Sequence, residues 1–366
     1  MSIFNSEEFK EFLNDDIKLS NKLLYKKGLC GLSNLGNTCF MNSIIQCLNN
    51  TYPLIEYFFN NDWRQDLRDD KVEHLLVEQC NNITRSLWFT NAVVTPSNFL
   101  RVLFRVSVQL NNHQFVGFNQ NDCQDFLQFL LDCMHNGLSK EVIMNINGKA
   151  ETDTDKHAIQ AYENWKKFYN NDYSKIVEIF SGQFFKKIVT VKNGNTETNY
   201  TYEPFLNLSL EIPISKLQNN EMISVYDCLD HFTSEEILVN NETQKTTSEC
   251  FFWTIADILI IYFKRYAYNS ESHRSNKIGI FIDFPIDGLN MSKYMKGYKR
   301  DRYVYDLYAV ANQVGGINSG HYYAYVKNFD KNWYKYDDSV VSTLETSDVV
   351  TSAAYCLFYH KKKYQE

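Results

Sequence analysis

Proline and glycine are scarce in this chain of 366 residues, at 5 and 14 respectively. Disordered linkers are usually rich in both, so long linkers are not expected. Repeats and low-complexity blocks are missing too. No Cys-x-x-Cys occurs and no two histidines stand at a metal-ligand spacing. Zinc is therefore disfavoured, and neither a metal nor a cofactor is expected. The most apolar run, residues 258–263, falls far short of the roughly 20 residues that span a bilayer. It reads as a buried strand. A secretory leader needs an unbroken apolar stretch behind a basic start, yet the first twenty residues carry Glu7, Glu8, Asp15 and Asp16. The expectation is a soluble protein that stays inside the cell, in the cytoplasm or nucleus, with no membrane partner.

What the chain does have is an excess of acid, 44 Asp and Glu against 37 Lys and Arg, and many aromatics, with 25 Tyr and 26 Phe. A net charge of -7 argues against a nucleic-acid surface and leaves room for a basic partner. The nine cysteines are odd in number and lack framework spacing. In a reducing compartment most should be small buried hydrophobes, with any exception reactive. The sequon-like Asn49-Asn50-Thr51 and Asn241-Glu242-Thr243 are chance products of abundant asparagine.

Residues 1–27 carry Phe9, Phe12, Leu13 and Ile17 at helical spacing and read as a helical extension, packed on the domain or serving to dock it. From Gly28 a glycine-bearing loop runs into an apolar stretch at Cys39, where Ile44, Ile45 and Leu48 predict a helix. Helices follow to about residue 135, the clearest over 122–134 with a stripe of Phe126, Phe129, Leu130 and Cys133. Beyond Gly182 the period drops to two. Asn193-Gly194 between two alternating runs is a strong hairpin signal. Further strands are expected at 205–212, 257–265, 303–312, 321–327, 333–336 and 355–360. Helices first and an antiparallel sheet after make an α+β fold, with residues 28–363 as one domain.

A free thiol, pKa about 8.5, is mostly protonated at neutral pH, and the thiolate is the nucleophile. A helix N-terminus and a nearby imidazole both favour the anion. Cys39 opens a predicted helix, and the glycines at 28, 31 and 36 let backbone N–H groups approach a substrate carbonyl. His321 follows a glycine-rich loop and opens a strand. Asp337-Asp338 ends the next strand, so a hairpin would set Asp337 beside His321 as the group orienting its ring. Each also has a plainer reading: a core cysteine, a loop histidine, a solvated turn. Spacing alone leaves the choice open.

The segment Gly31-Leu32-Ser33-Asn34-Leu35-Gly36-Asn37-Thr38-Cys39-Phe40-Met41-Asn42-Ser43 resembles the cysteine box of the ubiquitin-specific proteases. Residues Tyr305 to Val310, then Gly320-His321-Tyr322-Tyr323-Ala324-Tyr325-Val326, then Trp333 to Asp338, resemble their histidine box. Weaker matches lie between, including Gln120-Asn121-Asp122-Cys123-Gln124-Asp125. The resemblance implies a papain-like right hand with a helical thumb, an antiparallel β palm and β fingers that grips ubiquitin. It implies a thiol-dependent deubiquitinase acting after the terminal glycine of ubiquitin, with Cys39 as nucleophile, His321 as base and Asp337 as its orienter. Asn34 resembles the oxyanion donor and Asp338 an accessory acid. Asp122, Gly320 and Tyr322 fall where the family holds the ubiquitin tail, and residues 315–320 resemble its mobile blocking loop. The expected partners are ubiquitin and ubiquitinated proteins, met by a monomer. A catalytically silent ubiquitin-binding relative and a protease for a ubiquitin-like modifier remain the rival readings.

Many members carry two Cys-x-x-Cys knuckles that bind zinc in the fingers. Here they would fall near 189–192 and 241–246, and neither stretch contains cysteine; Cys250 stands nearby alone. Asp125 replaces the usual Glu, Asp257 a Pro and Gln313 a His.

Overall fold

The apolar spacing after Cys39 becomes a helix, Cys39–Leu48, whose ten residues are all buried. A helix covered on every side has no solvent face, so its polar residues must find partners within the protein. The computed structural model describes residues 28–363, except 91, 220–221, 270–273 and 317–319. The extension expected at 1–27 lies outside the described residues. The chain divides into two units: one takes residues up to 140, 174–179 and 308–358, the other 141–173, 180–307 and 359 onward.

The first unit holds Cys39–Leu48 together with the helices Tyr52–Phe59, His74–Phe89, Ser97–Gln109 and Cys123–Leu138. Phe40 meets Phe126 edge-on at 5.5 Å, and Phe115 and Phe99 close on Phe126 at 5.9 and 6.5 Å. Edge-to-face pairs of this kind add to simple burial. The stripe expected over 122–134 runs on to Leu138, and Phe129 is only half-buried while Leu127 and Leu131 are fully inside. The strands His321–Lys327, Trp333–Asp337 and Val340–Leu344 form an antiparallel meander beside residues 308–314. Val340–Leu344 escaped the sequence reading. It is an edge strand with most residues exposed, so it shows no alternation.

In the second unit the finger sheet has the order Asn195–Thr201, Gly182–Lys192, Gln244–Thr254, Glu236–Asn240. The Asn193-Gly194 turn has φ of 51° and 80°, the left-handed pair that a tight hairpin needs. Phe185, Tyr202 and Trp253 pack against Ala158 and Ala161 of the helix Asp153–Tyr169. Gln244–Thr254 was not expected as a strand because Gln-Lys-Thr-Thr-Ser-Glu carries no apolar alternation. It forms by pairing with nearly all of Gly182–Lys192, with Glu236–Asn240 on its far side. The helix Val225–Phe232 was also missed, although Ser224 and Asp227 make a capping box at its start.

The two stretches that zinc-carrying relatives line with cysteines do face each other in this ladder, Thr190 opposite Thr246 and Lys192 opposite Gln244. Their polar side chains are hydroxyls, amides, lysines and the single carboxylate of Glu242, with no thiolate or imidazole, a donor set that does not suit zinc. The Thr190 and Thr246 hydroxyls are 3.2 Å apart, and Asn241 Oδ1 accepts from the N–H groups of Thr243 and Gln244. Cys250 is half-buried, with burial pushing its thiol up to about 12. Helices and antiparallel sheets together bear out the α+β expectation. Among the described residues no helix is long and apolar enough to cross a membrane.

Candidate active site

The loop before Cys39 is tied to the turn after Asp337 by close backbone contact. Leu32 N–H donates to the Asp338 carbonyl at 2.8 Å, and a Cβ on Gly31 would lie 2.4 Å from the Ser339 carbonyl oxygen. Only glycine fits there. Asp338 itself sits at φ 49°, a left-handed position that Asp tolerates better than most residues.

Cys39 begins its helix and is 3% exposed. Burial raises its pKa. The Tyr322 N–H opposes this, the Asp338 carboxylate adds to it, and the N–H groups of Phe40 and Cys39 itself again oppose it. The helix-start effect expected from the sequence is present but outweighed, so the expected lowering is corrected to a rise. Desolvation of the sulfur costs the anion more than three N–H groups return.

His321 and Asp337 lie on adjacent strands in a diagonal relation, since Ala324 pairs with Tyr336. The diagonal lets the ring reach across: His321 Nε2 and Asp337 Oδ1 are 2.7 Å apart. Nδ1 is then the nitrogen available to a thiol. Lys335 Nζ binds the other carboxylate oxygen at 2.8 Å and lies 4.6 Å from the centre of the Tyr323 ring. Burial alone would raise the Asp337 pKa, but hydrogen bonds from Lys335 and His321 hold it below the usual carboxylate value.

Asp338 is held on both oxygens. Asn42 Nδ2 donates to Oδ1 and Asn34 Nδ2 to Oδ2, each at 2.8 Å. Asn34 Oδ1 in turn accepts from Gly36 N–H at 3.0 Å and Thr38 N–H at 3.2 Å, which fixes which way the amide points.

A family model described as ubiquitin carboxyl-terminal hydrolase matches residues 30–359. The chain belongs to this family. Ubiquitin carboxyl-terminal hydrolase 2 of Homo sapiens is 34% identical over 91% of this chain and 55% of its own length. Ubiquitin carboxyl-terminal hydrolase 21 of Homo sapiens is 29% identical over 98% of this chain and 66% of its own length. The chain thus spans little more than half of the first of these relatives. Its fold is shared by the SAGA DUB module structure of Ubp8/Sgf11/Sus1/Sgf73 bound to monoubiquitin. That match has a TM-score of 0.70 at 23% identity and covers 93% of this chain and 71% of the other.

In this family member the three residues expected at the ubiquitin tail are already engaged within the chain. Asp122 caps the helix Cys123–Leu138 through Gln124 N–H at 2.7 Å and also accepts from the Tyr355 hydroxyl. Burial raises its pKa, against the pull of Tyr355 and the Gln124 N–H. Gly320 is bridged twice by Gln120, whose amide donates to its carbonyl at 2.7 Å and accepts from its N–H at 3.1 Å. Tyr322 is 8% exposed, with its ring against Tyr355 at 5.9 Å. Residues 317–319 of the expected blocking loop lie outside the described residues.

Gln120, Asn42 and Lys335 were not singled out from the sequence. Asn42 is one of three polar side chains, with Ser43 and Gln46, on a helix that is buried throughout, so its type alone did not distinguish it. Lys335 and Gln120 act across strands and loops, and nothing local marks them. Among the described residues the one grouping of three metal-type donors is His321, Asp337 and Asp338. All four of its carboxylate oxygens already accept hydrogen bonds, one from the Lys335 ammonium, so the set does not suit a metal.

Proposed function

We propose that this chain is a thiol-dependent deubiquitinase that hydrolyses the isopeptide or peptide bond after the C-terminal glycine of ubiquitin, with residues 28–363 as its catalytic domain. The observation that carries this reading is the convergence, within one unit of a family member, of a helix-start cysteine, a carboxylate-held imidazole and an oriented amide. The structurally similar SAGA DUB module bound to monoubiquitin supports the same substrate.

In this reading His321 takes the Cys39 proton on Nδ1 while its Nε2–H stays on Asp337. The thiolate attacks the glycine carbonyl. The second N–H of Asn34 and the Cys39 N–H meet the oxyanion. The imidazolium then protonates the leaving lysine amine, and water, activated by the same ring, releases ubiquitin from the thioester. The enzyme acts as a monomer without metal or cofactor, on ubiquitin and ubiquitinated proteins.

The test is hydrolysis of a ubiquitin C-terminal amide reporter. Wild-type protein should turn it over, Cys39→Ala should abolish turnover, and His321→Ala should reduce it by at least about 100-fold. A wild-type protein that binds ubiquitin but never reacts with a C-terminal electrophilic ubiquitin probe would sink the proposal.

A further inference from the structure

Asn42 is a buried polar residue on the nucleophile's own helix, one turn beyond Cys39, and only 2% exposed. Its Nδ2 donates to Asp338 Oδ1 at 2.8 Å and approaches the Leu32 and Ser33 carbonyls at 3.4 Å. Three acceptors around one nitrogen fix the orientation of the amide. Its Oδ1 is buried with no hydrogen-bond partner.

The use lies on the other side of Asp338. That residue is half-buried, and a carboxylate with one side toward water is free to rotate unless something inside holds it. Asn42 holds one oxygen from the protein side, and the other oxygen receives Asn34. Asn34 is exposed and sits in a loop, where its amide is anchored by contacts at both ends. Its Oδ1 gathers the Gly36 and Thr38 N–H groups, and its Nδ2 is aimed by Asp338. We propose that Asn42 is a positioning residue for the oxyanion site: through Asp338 it sets the Asn34 amide, so that one N–H of Asn34 stays on the carboxylate and the other faces the reacting carbonyl. Asn42 touches neither substrate nor sulfur in this scheme. The inference rests on the deubiquitinase reading and adds a relay from helix to loop through the turn.

The experiment is a double-mutant cycle on the full chain, read with the ubiquitin amide reporter. Asn34→Ala should lower kcat by about 100-fold, the usual loss for one oxyanion donor, with KM nearly unchanged. Asn42→Ala should lower kcat by about 10-fold or more in the wild-type background and by less than about 2-fold in the Asn34→Ala background, because both changes remove the same interaction. The ratio of ubiquitin-aldehyde affinity to ubiquitin affinity should fall alongside kcat, since only the aldehyde adduct carries the oxyanion.

Should Asn42→Ala fail to fold, Asn42→Asp is measured in its place. It keeps the shape but sets two carboxylates face to face, and Asp338→Asn added to it restores one donor and one acceptor across the pair. Recovery of at least about 10-fold in kcat by the second change supports the relay, and no recovery overturns it. Equal losses from Asn42→Ala in both backgrounds, or an unchanged aldehyde ratio, would likewise overturn it. A wild-type protein inert toward the reporter would instead remove the deubiquitinase reading itself.

Discussion

The corner around His321 and the tip around Asn193 both hold strand ends in place, and they do it with opposite means. At the corner, side chains carry the geometry: an imidazole and an ammonium meet on the Asp337 carboxylate, and two amides meet on the neighbouring Asp338 carboxylate. At the tip the backbone carries it, through a left-handed turn, a long ladder and one pair of threonine hydroxyls. A cluster of charges is strong only while every member is matched, whereas a ladder loses one rung at a time. Substitutions should therefore cost function steeply at the corner and stability mildly at the tip.

The sharpest break is expected at Gly31, where a methyl group would press on the Ser339 carbonyl. Gly31→Ala should destabilise the protein by about 1–3 kcal/mol. Reporter turnover should fall by about 100-fold or more, because the loop and the turn shift apart by a fraction of an ångström. Thermal unfolding alongside kinetics checks both, and near-normal turnover would show that this contact is not what sets the site.

Next in size is Lys335→Gln. Lys335 helps to keep Asp337 ionised, which stabilises the fold above the ordinary carboxylate pKa and is lost as pH falls through the lowered one. Without the ammonium that pKa moves up toward the ordinary carboxylate value, so the stability contribution shrinks and its loss begins at higher pH. The change is modest because the pair is about one-third exposed, at 35% and 33%. Unfolding measured from neutral to acid pH for both proteins decides it, and superimposable stability–pH curves would show that Lys335 does not hold Asp337 in its ionised form.

The resting thiol gives a third measurement. Burial raises the Cys39 pKa, so alkylation of this residue in the absence of ubiquitin should have its midpoint above the ~8.5 of a free cysteine. Mass spectrometry of the Cys39 peptide across pH isolates it from the other thiols. A midpoint near neutrality would instead mean a preformed thiolate–imidazolium pair.

The smallest effects belong to the tip. Thr246→Val should cost about 0.5–1.5 kcal/mol through its hydroxyl pair with Thr190, with reporter turnover unchanged. A strong zinc chelator should leave both melting temperature and turnover where they were. A fall in either would place a structural metal where the strands carry no thiolate.

A cysteine at a helix start, a histidine after glycines and an aspartate pair after an aromatic strand marked candidates in the sequence, and the resemblance of the motifs around them to a known family chose between the catalytic and the plainer reading. The elements that went unread are those whose residues report little about their setting. The first half of Gln244–Thr254 is polar and unpatterned, and it becomes a strand because Gly182–Lys192 offers it a partner. Val340–Leu344 lies at an edge, where no buried face imposes a period. The direction of the Cys39 shift was misjudged for a related reason. Helix position is visible in sequence, but the depth at which the sulfur is buried is not.

Taken by itself, the sequence determined the α+β order of elements and the absence of thiolates from the tip strands, because these follow from which residues occur and at what spacing, while the class of chemistry came from two long motifs that resemble a known family. Only the tertiary structure decided that Lys335 shares Asp337 with His321, that Asn42 reaches Asn34 through Asp338, and that Gln120 clamps Gly320. Those contacts join residues up to some 300 positions apart, as Asn34 and Asp338 are. Hydrogen bonds act over about 3 Å, and only folding brings such groups within that range.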